Sequence, residues 1–231
     1  MKRVYREVRV APAGDGWGIL LDARALQTPA RAPLWLPRRG LAEAIADEWD
    51  AQTEAVVPAT MPLMQLAATA IDHTTARPGP VVDEVVGYAE TDLVCYRAER
   101  PPELVARQST AWQPLVDWVT LRFDAPLVVT TGIVPKTQPT AAIAAIRAAV
   151  KSLDPFRLTA LHSATTACGS VAIGLALAER HLDARGAWQA SLLEETFQIE
   201  TWGEDDEAAA RRAALKRDIE ATARFLELLR G

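Results

Sequence analysis

Hydrophobic and polar residues alternate along residues 1–35 with the two-residue period of β-strands. Val4, Val8 and Val10 share one face of the first run, and the glycines on either side of Asp15 supply the chemistry of a tight turn. A second extended run follows this turn, and a third short one ends near Trp35. The pattern predicts a small antiparallel meander.

After Pro37 the hydrophobic period becomes that of a helix. Leu41, Ile45 and Trp49 recur at intervals of four residues, which places them on one helical face. The following elements are predicted in the same way: helices over 62–74, up to 91, and over 103–123 with a kink or junction near Pro114; a buried strand or strand-like connector at 93–96; and a strand at 126–131.

From Thr140 onward every pattern is helical. Residues 158–178 carry no formal charge, but their hydroxyl groups, one histidine and two glycines make a membrane span a poor prediction, and we expect one buried central helix. Helices over 185–202 and from 204 onward follow. The predicted fold class is α+β: a small antiparallel β-containing N-terminal domain, residues 1–60, and a mainly α-helical domain, residues 61–231.

Composition and charge narrow the function classes. The 231 residues carry a formal net charge of −5, which argues against a nucleic-acid-binding protein, since such proteins present a basic face. The two cysteines are too few for a disulfide framework or a cysteine-only zinc site, and they suit a reducing compartment. The chain opens without a secretory or organellar leader, so a soluble protein is expected.

The chain lacks the sequence motifs of common catalytic sites. The glycines at 14, 16 and 18 are flanked by strands, so they indicate a hairpin turn rather than a phosphate loop, which opens a helix. His73, His162 and His181 have no histidine or cysteine partner at helical spacing, so no metal site is predicted. We therefore expect no cofactor and no small-molecule substrate.

The most informative segment is 187–203, AWQASLLEETFQIETWG. On one continuous helix, Trp188, Ile199 and Trp202 share a narrow sector, and Glu195 lies in its middle. A carboxylate in an apolar stripe is costly unless it is paired or opens onto a groove. Three interpretations stay open: an internal ion pair with an arginine, a recognition acid at the edge of an apolar binding surface, and a general acid or base.

Two other acidic patches allow a structural and a functional interpretation. Trp49 has the pattern of a core residue, but the acids around it end a helix against its dipole and need basic partners, internal or on another protein. Asp92 lies at a helix-to-strand junction between aromatic residues. Capping of a turn is favoured over partner binding for Asp92.

These segments together resemble one family. The resemblance rests on Glu48-Trp49-Asp50, on Thr91-Asp92-Leu93-Val94-Cys95-Tyr96-Arg97, on Trp112, Pro114 and Trp118, and on Glu194-Glu195 followed by Phe197-Gln198-Ile199 and Trp202-Gly203. The chain looks like the chaperone that assembles the soluble head of F-type ATP synthase by holding its α subunit. The matching motifs are spread over nearly the whole chain.

The resemblance implies a non-catalytic protein that binds the unassembled α subunit, with a β-containing N-terminal and a helical C-terminal domain. The family's important C-terminal acid maps onto the Glu194-Glu195 pair, and the helical wheel favours Glu195. The predicted partner-binding residues are Glu195, Glu194, Trp202, Trp188, Ile199, Trp49 and Asp92. The expected location is the bacterial cytoplasm, or the mitochondrial matrix for a eukaryotic chain without its leader. Two competing hypotheses are a hydrolase-like enzyme using Glu195 with a histidine, and an adaptor for another client.

Overall fold

The structure, a computed structural model, describes residues 2–132 and 136–230. Strands β1 (Val8–Ala13), β2 (Gly16–Leu21) and β3 (Arg24–Ala25) form an antiparallel sheet in the order β1-β2-β3. Ala13 pairs with Gly16, so Gly14 and Asp15 form a two-residue turn, and Gly14 adopts the positive φ of 60° that glycine tolerates best. The predicted hairpin is confirmed, although the third strand is only two residues long.

The remainder of the described chain is mainly helical, which confirms the predicted fold class. The α-helices are α1 (Arg39–Asp50), α2 (Pro62–Thr69), α3 (Pro78–Glu90), α4 (Pro102–Phe123), α5 (Thr140–Lys151), α6 (Pro155–Cys168), α7 (Val171–Ala178), α8 (Ala184–Ser191), α9 (Leu193–Trp202) and α10 (Asp206–Leu228). A π-helical turn, Ala70–Thr74, extends α2, and Leu93–Cys95 forms a 3₁₀ turn. Helix α4 runs unbroken through Pro114.

A second, two-stranded sheet pairs β4 (Tyr96–Arg97) with β5 (Thr130–Thr131) in parallel. The connector predicted before Arg97 is thus a 3₁₀ turn followed by a short strand. Only the last two residues of the strand predicted over 126–131 pair in the sheet. A β-branched run supplies propensity, but a strand also requires a neighbour with unpaired backbone groups.

Two helices predicted as continuous are broken. Residues 158–178 form most of α6 and all of α7, separated at Gly169, whose φ of 65° no regular right-handed helix contains. Ser170 then begins α7, because its hydroxyl accepts a hydrogen bond of 3.0 Å from the Ile173 amide. Likewise, Leu192 leaves helical geometry, with φ −107° and ψ 21°, and separates α8 from α9.

The chain divides into two compact units, each assembled from discontinuous segments. The boundary expected after residue 60 stays a prediction. Unit 1 comprises 1–78, 154–160 and 221–231, and unit 2 comprises 79–153 and 161–220. Unit 1 buries Ile19, Leu36, Leu41, Ile45 and Phe225; unit 2 buries Trp112, Ile146, Leu161, Ile173 and Ile219. Among the helices described, none has the length and hydropathy to cross a membrane.

Candidate functional site

Helix α9, the connection after it and the start of α10 line an open cavity of about 460 Å³ in unit 2. Its lining includes Glu194, Glu195, Ile199, Trp202, Glu204 and Arg211. This cavity brings together four of the seven residues predicted to bind a partner, namely Glu194, Glu195, Ile199 and Trp202.

Trp202 is the large apolar feature of this cavity. It is the last residue of α9, and its side chain is 77% exposed. Gly203 ends the helix with a φ of 88°, a conformation that strains other residues. Burying a tryptophan is favourable in water, so one left exposed beside a cavity is typical of an interaction surface.

Glu195 forms the ion pair that one of the three sequence-based interpretations anticipates. Its Oε1 accepts a hydrogen bond of 2.7 Å from the Nη2 of Arg211, and the Nη1 of Arg212 lies 3.9 Å away. The Glu195 side chain nevertheless keeps 22% of its surface exposed. The ion pair and a contact with a partner are therefore compatible.

Arg212 holds the two walls of the cavity together. Its Nη2 donates to the Thr196 hydroxyl on α9 at 3.2 Å, and its Nε lies 3.0 Å from a carboxylate oxygen of Glu204 in the connection. The guanidinium also lies over the ring of Trp188, 5.1 Å from the ring centroid. Only 12% of this side chain is exposed, so Arg212 is a structural support of the cavity.

Glu194 is anchored differently from its neighbour. Its Oε1 accepts a hydrogen bond from the side-chain amide of Gln108 on α4. Gln108 is fully buried and is fixed in turn, because its side-chain oxygen accepts from the Ala98 amide at 2.7 Å and its carbonyl from Arg97 at 2.6 Å. The buried network holds Glu194 at the cavity edge, while Glu195 is held by side chains nearer to solvent.

Trp188 lies in a different position from the one the helical wheel assigns. The wheel assumed one helix from 188 to 202, but the break at Leu192 puts Trp188 on α8. It is half-buried beneath Arg212 and Lys216, and its indole nitrogen has no hydrogen-bond partner within the described chain. Trp188 therefore supports the cavity through Arg212, and it does not line it.

Asp92 is completely buried in unit 2 and does not belong to an exposed surface. Its carboxylate accepts hydrogen bonds from the Ser170 hydroxyl and from the amides of Val94 and Ala172. Burial raises the pKa of Asp92 above its ordinary value, and these hydrogen bonds oppose the rise. The favoured interpretation, capping of a turn, agrees with these contacts.

Trp49 is also buried, within unit 1. Its ring packs edge-on against Tyr5 with 5.7 Å between centroids, and its carbonyl accepts a hydrogen bond from the Tyr5 hydroxyl. The acids beside it find internal partners: Asp50 pairs with Arg3 at 3.1 Å, and Glu48 accepts from the amides of Leu63 and Met64. A direct partner contact by Trp49 would require the core of unit 1 to open.

The contacts of the three histidines are made outside the cavity. His162 pairs with Glu84 at 2.7 Å, His181 stacks on Trp118, and His73 lies in the π-helical turn. No histidine occurs among the residues described as lining the cavity. In the described ranges we also find no group of three or more metal-ligating side chains.

Three residues of the site, Arg211, Arg212 and Gln108, are not indicated by any sequence motif. The sequence gives one signal for the two arginines: they lie near the start of a helix whose first residues are acidic, so a basic pair closely follows an acidic segment. Gln108 gives no signal at all, because a buried glutamine in an amphipathic helix has no distinctive spacing. Their roles depend on contacts between separate helices.

Comparisons with known proteins extend these observations. The ATP12 chaperone protein family matches residues 2–120. The fold superposes on the crystal structure of Atp12 from Paracoccus denitrificans with a TM-score of 0.94 and 40% sequence identity, covering 99% of this chain and 98% of that one. Atu1473 from Agrobacterium tumefaciens gives a TM-score of 0.94 at 42% identity, covering 99% and 86% of the two chains.

A more distant relative is the mitochondrial protein atp12 of Schizosaccharomyces pombe, 25% identical over 202 residues, which are 82% of this chain and 69% of that protein. Sequence and fold thus place the protein in one class, the chaperones. The chain belongs to the ATP12 chaperone family.

Proposed function

We propose that the protein is an assembly chaperone that binds the unassembled α subunit of F-type ATP synthase and prevents its aggregation until it pairs with the β subunit. Membership of the family supports the chaperone role, and the resemblance of the sequence motifs supports the α subunit as the client. The observation that carries the site is Trp202, exposed on an acidic cavity that other residues hold in shape.

The chemistry of the cavity suits such a client. An unassembled subunit exposes an apolar interface that aggregates unless it is covered. The described lining of the cavity carries four acidic residues against one basic residue, Arg211, so the cavity attracts a basic surface. A tryptophan surrounded by carboxylates suits a client surface that is both apolar and basic, because the indole covers apolar atoms and the carboxylates pair with arginine or lysine.

Under this proposal the protein acts by binding alone, without catalysis, cofactor, nucleic acid, membrane insertion or small-molecule substrate. We place it in the bacterial cytoplasm, or in the mitochondrial matrix for a eukaryotic chain. The competing enzyme hypothesis required a histidine in the cavity of Glu195, and the described lining contains none. An adaptor for a different client is the alternative that the experiment below must separate.

Co-expression with the α subunit from the same organism tests the proposal. We expect a soluble one-to-one complex in size-exclusion chromatography and more soluble α subunit than without the chaperone. Glu195→Gln should weaken the complex, while Glu103→Gln, an exposed acid in the first turn of α4, should leave it intact. Failure of the wild type to retain or solubilise the α subunit would reject the proposed client.

A further inference from the structure

Arg211 and Arg212 are neighbours in the sequence, but the structure gives them different environments. The side chain of Arg211 is 64% exposed, and within the described chain it pairs with Glu195. Arg212 is almost buried; it contacts Glu204, Thr196 and Trp188, and its Nη1 stays 3.9 Å from the Glu195 carboxylate. The two arginines share a charge and a helix, so the difference lies in what holds each side chain.

The contact of Arg211 with Glu195 is inexpensive to break. Exposed ion pairs contribute about 0–1 kcal/mol, because water and salt solvate the separated charges nearly as well. Arg212, by contrast, would leave Glu204 without its ion pair if it moved, and only Lys216 would then lie over the ring of Trp188. Arg211 can therefore leave Glu195 while Arg212 keeps the cavity in shape.

We propose that Arg211 occupies, in the unbound protein, the place on the Glu195 carboxylate that an arginine side chain of the client takes in the complex. This inference rests on the proposed chaperone function and adds the chemistry of recognition at the cavity. The protein would thus carry its own competitor for the client, attached to α10.

An arginine fits this place better than other basic groups. Its planar guanidinium can donate hydrogen bonds to a carboxylate and lie flat on an indole ring, and Glu195 and Trp202 line the same cavity. Arg211 itself shows that a guanidinium reaches Oε1 of Glu195 at 2.7 Å from this side. The lysine ammonium lacks the planar shape and holds its water more strongly.

An internal competitor has a consequence for release. A chaperone that must give up its client to the true partner needs a limited affinity for that client. A client arginine that displaces Arg211 binds less tightly, because the ion pair between Arg211 and Glu195 is lost when it binds. Arg211→Gln removes the competitor without removing Glu195. We expect the variant to bind its client about two- to fivefold more tightly than the wild type, the range that an exposed ion pair supports.

Competition for limiting α subunit measures this difference. Wild type and variant, carrying different tags, are co-expressed in equal amounts with the α subunit, and the ratio in the complex is determined. Arg217→Gln, an exposed arginine further along α10, controls for the general effect of making the protein more acidic. Arg212→Gln should bind less well than the wild type, despite the same charge change, because the cavity loses its support.

An excess of Arg211→Gln in the complex, beyond that of Arg217→Gln, supports the inference. A ratio equal to the control, or a loss like that of Arg212→Gln, overturns it, the latter because Arg211 would then contact the client itself. An acetylated and amidated peptide of two arginines and two leucines gives a readout independent of the α subunit. If Arg211→Gln binds the peptide more tightly in calorimetry while the wild type does not retain the α subunit, the α subunit is rejected as the client, but the competition between Arg211 and a bound arginine is supported.

Discussion

The carboxylate of Asp92 accepts a hydrogen bond of 2.6 Å from the hydroxyl of Ser170, 78 residues further along the chain. It also accepts from the amides of Val94 at 3.1 Å and Ala172 at 3.0 Å. One buried side chain thus joins the 3₁₀ turn Leu93–Cys95 to the first turn of α7 within unit 2. Backbone donors at both places would otherwise be buried without partners.

Replacement of this acid should destabilise the fold strongly. Asp92→Ala leaves buried donors unpaired, at about 1–3 kcal/mol each, so we expect a loss of about 3 kcal/mol or more in the free energy of unfolding. Asp117→Ala, on the exposed face of α4, should change it by less than about 0.5 kcal/mol. Urea denaturation followed by circular dichroism measures both, and equal stabilities would contradict the role assigned to Asp92.

The two cysteines should resist thiol reagents in the folded protein. Cys95 and Cys168 are buried, and burial raises the pKa of each thiol to about 12. The thiolate is the reactive form, so access and ionisation both oppose modification. We expect no reaction with a chromogenic disulfide at pH 8 until urea is added, when two thiols per chain should appear. Rapid labelling of the native protein would show that this part of the core opens readily.

The same pKa values predict a dependence of stability on pH. Unfolded cysteines ionise near their ordinary pKa of 9.0, whereas the folded ones stay protonated up to about 12. Because the folded pKa is raised, this contribution to stability is complete below pH 9 and is lost as the pH rises towards 12. The free energy of unfolding should fall less steeply above pH 9 in Cys95→Ala/Cys168→Ala than in the wild type, and equal slopes would speak against the raised pKa values.

Glu48 should stabilise unit 1 through the start of α2. Its two carboxylate oxygens accept hydrogen bonds of 2.8 Å from the amides of Leu63 and Met64, which have no partner inside the helix. We expect Glu48→Ala to lower the free energy of unfolding by about 1–2 kcal/mol, as loss of a helix cap does. Asp47→Ala, at an exposed neighbouring position of α1, is the matched control and should leave the free energy of unfolding nearly unchanged. Urea denaturation followed by circular dichroism measures both variants, and equal stabilities would contradict the role assigned to Glu48.

A comparison of Trp202 with Leu121 tests whether exposure alone makes an apolar side chain part of the binding surface. Both are large apolar side chains in unit 2, exposed by 77% and 86%, but only Trp202 lines the acidic cavity. We expect either alanine variant to keep its stability within about 0.5 kcal/mol. Under the proposed function, Trp202→Ala should lower affinity for the α subunit about tenfold or more, while Leu121→Ala should not. Equal binding by both variants would remove Trp202 from the proposed surface.

Local patterns predicted most of the fold because the responsible forces act between near neighbours. The hairpin at Gly14 needs only a residue that tolerates positive φ between two alternating runs, and the sequence displays both. The stripe of Leu41, Ile45 and Trp49 specifies which face of α1 is buried, whatever covers it. The family resemblance likewise needed only the order of its motifs.

The breaks within the C-terminal helices escaped the same reasoning. The periodicity around Gly169 continues on both sides, and the chain turns there because Ser170 and Asp92 satisfy the first amides of α7. Only the folded chain supplies Asp92, which is distant in sequence. The break at Leu192 likewise puts Trp188 on α8, whereas the helical wheel placed it on one face with Glu195 and Trp202.

The local sequence was enough to predict the α+β class, the buried face of α1, and the two acids and the tryptophan that line the cavity. The packing of distant segments set which of the predicted partner-binding side chains meet water: Asp92 and Trp49 are buried, whereas Trp202 is exposed. It also gave adjacent arginines different surroundings, with Arg211 near solvent and Arg212 under the cavity. The physical reason is that periodicity assigns a residue to a face, while burial and pairing depend on which distant segment covers that face.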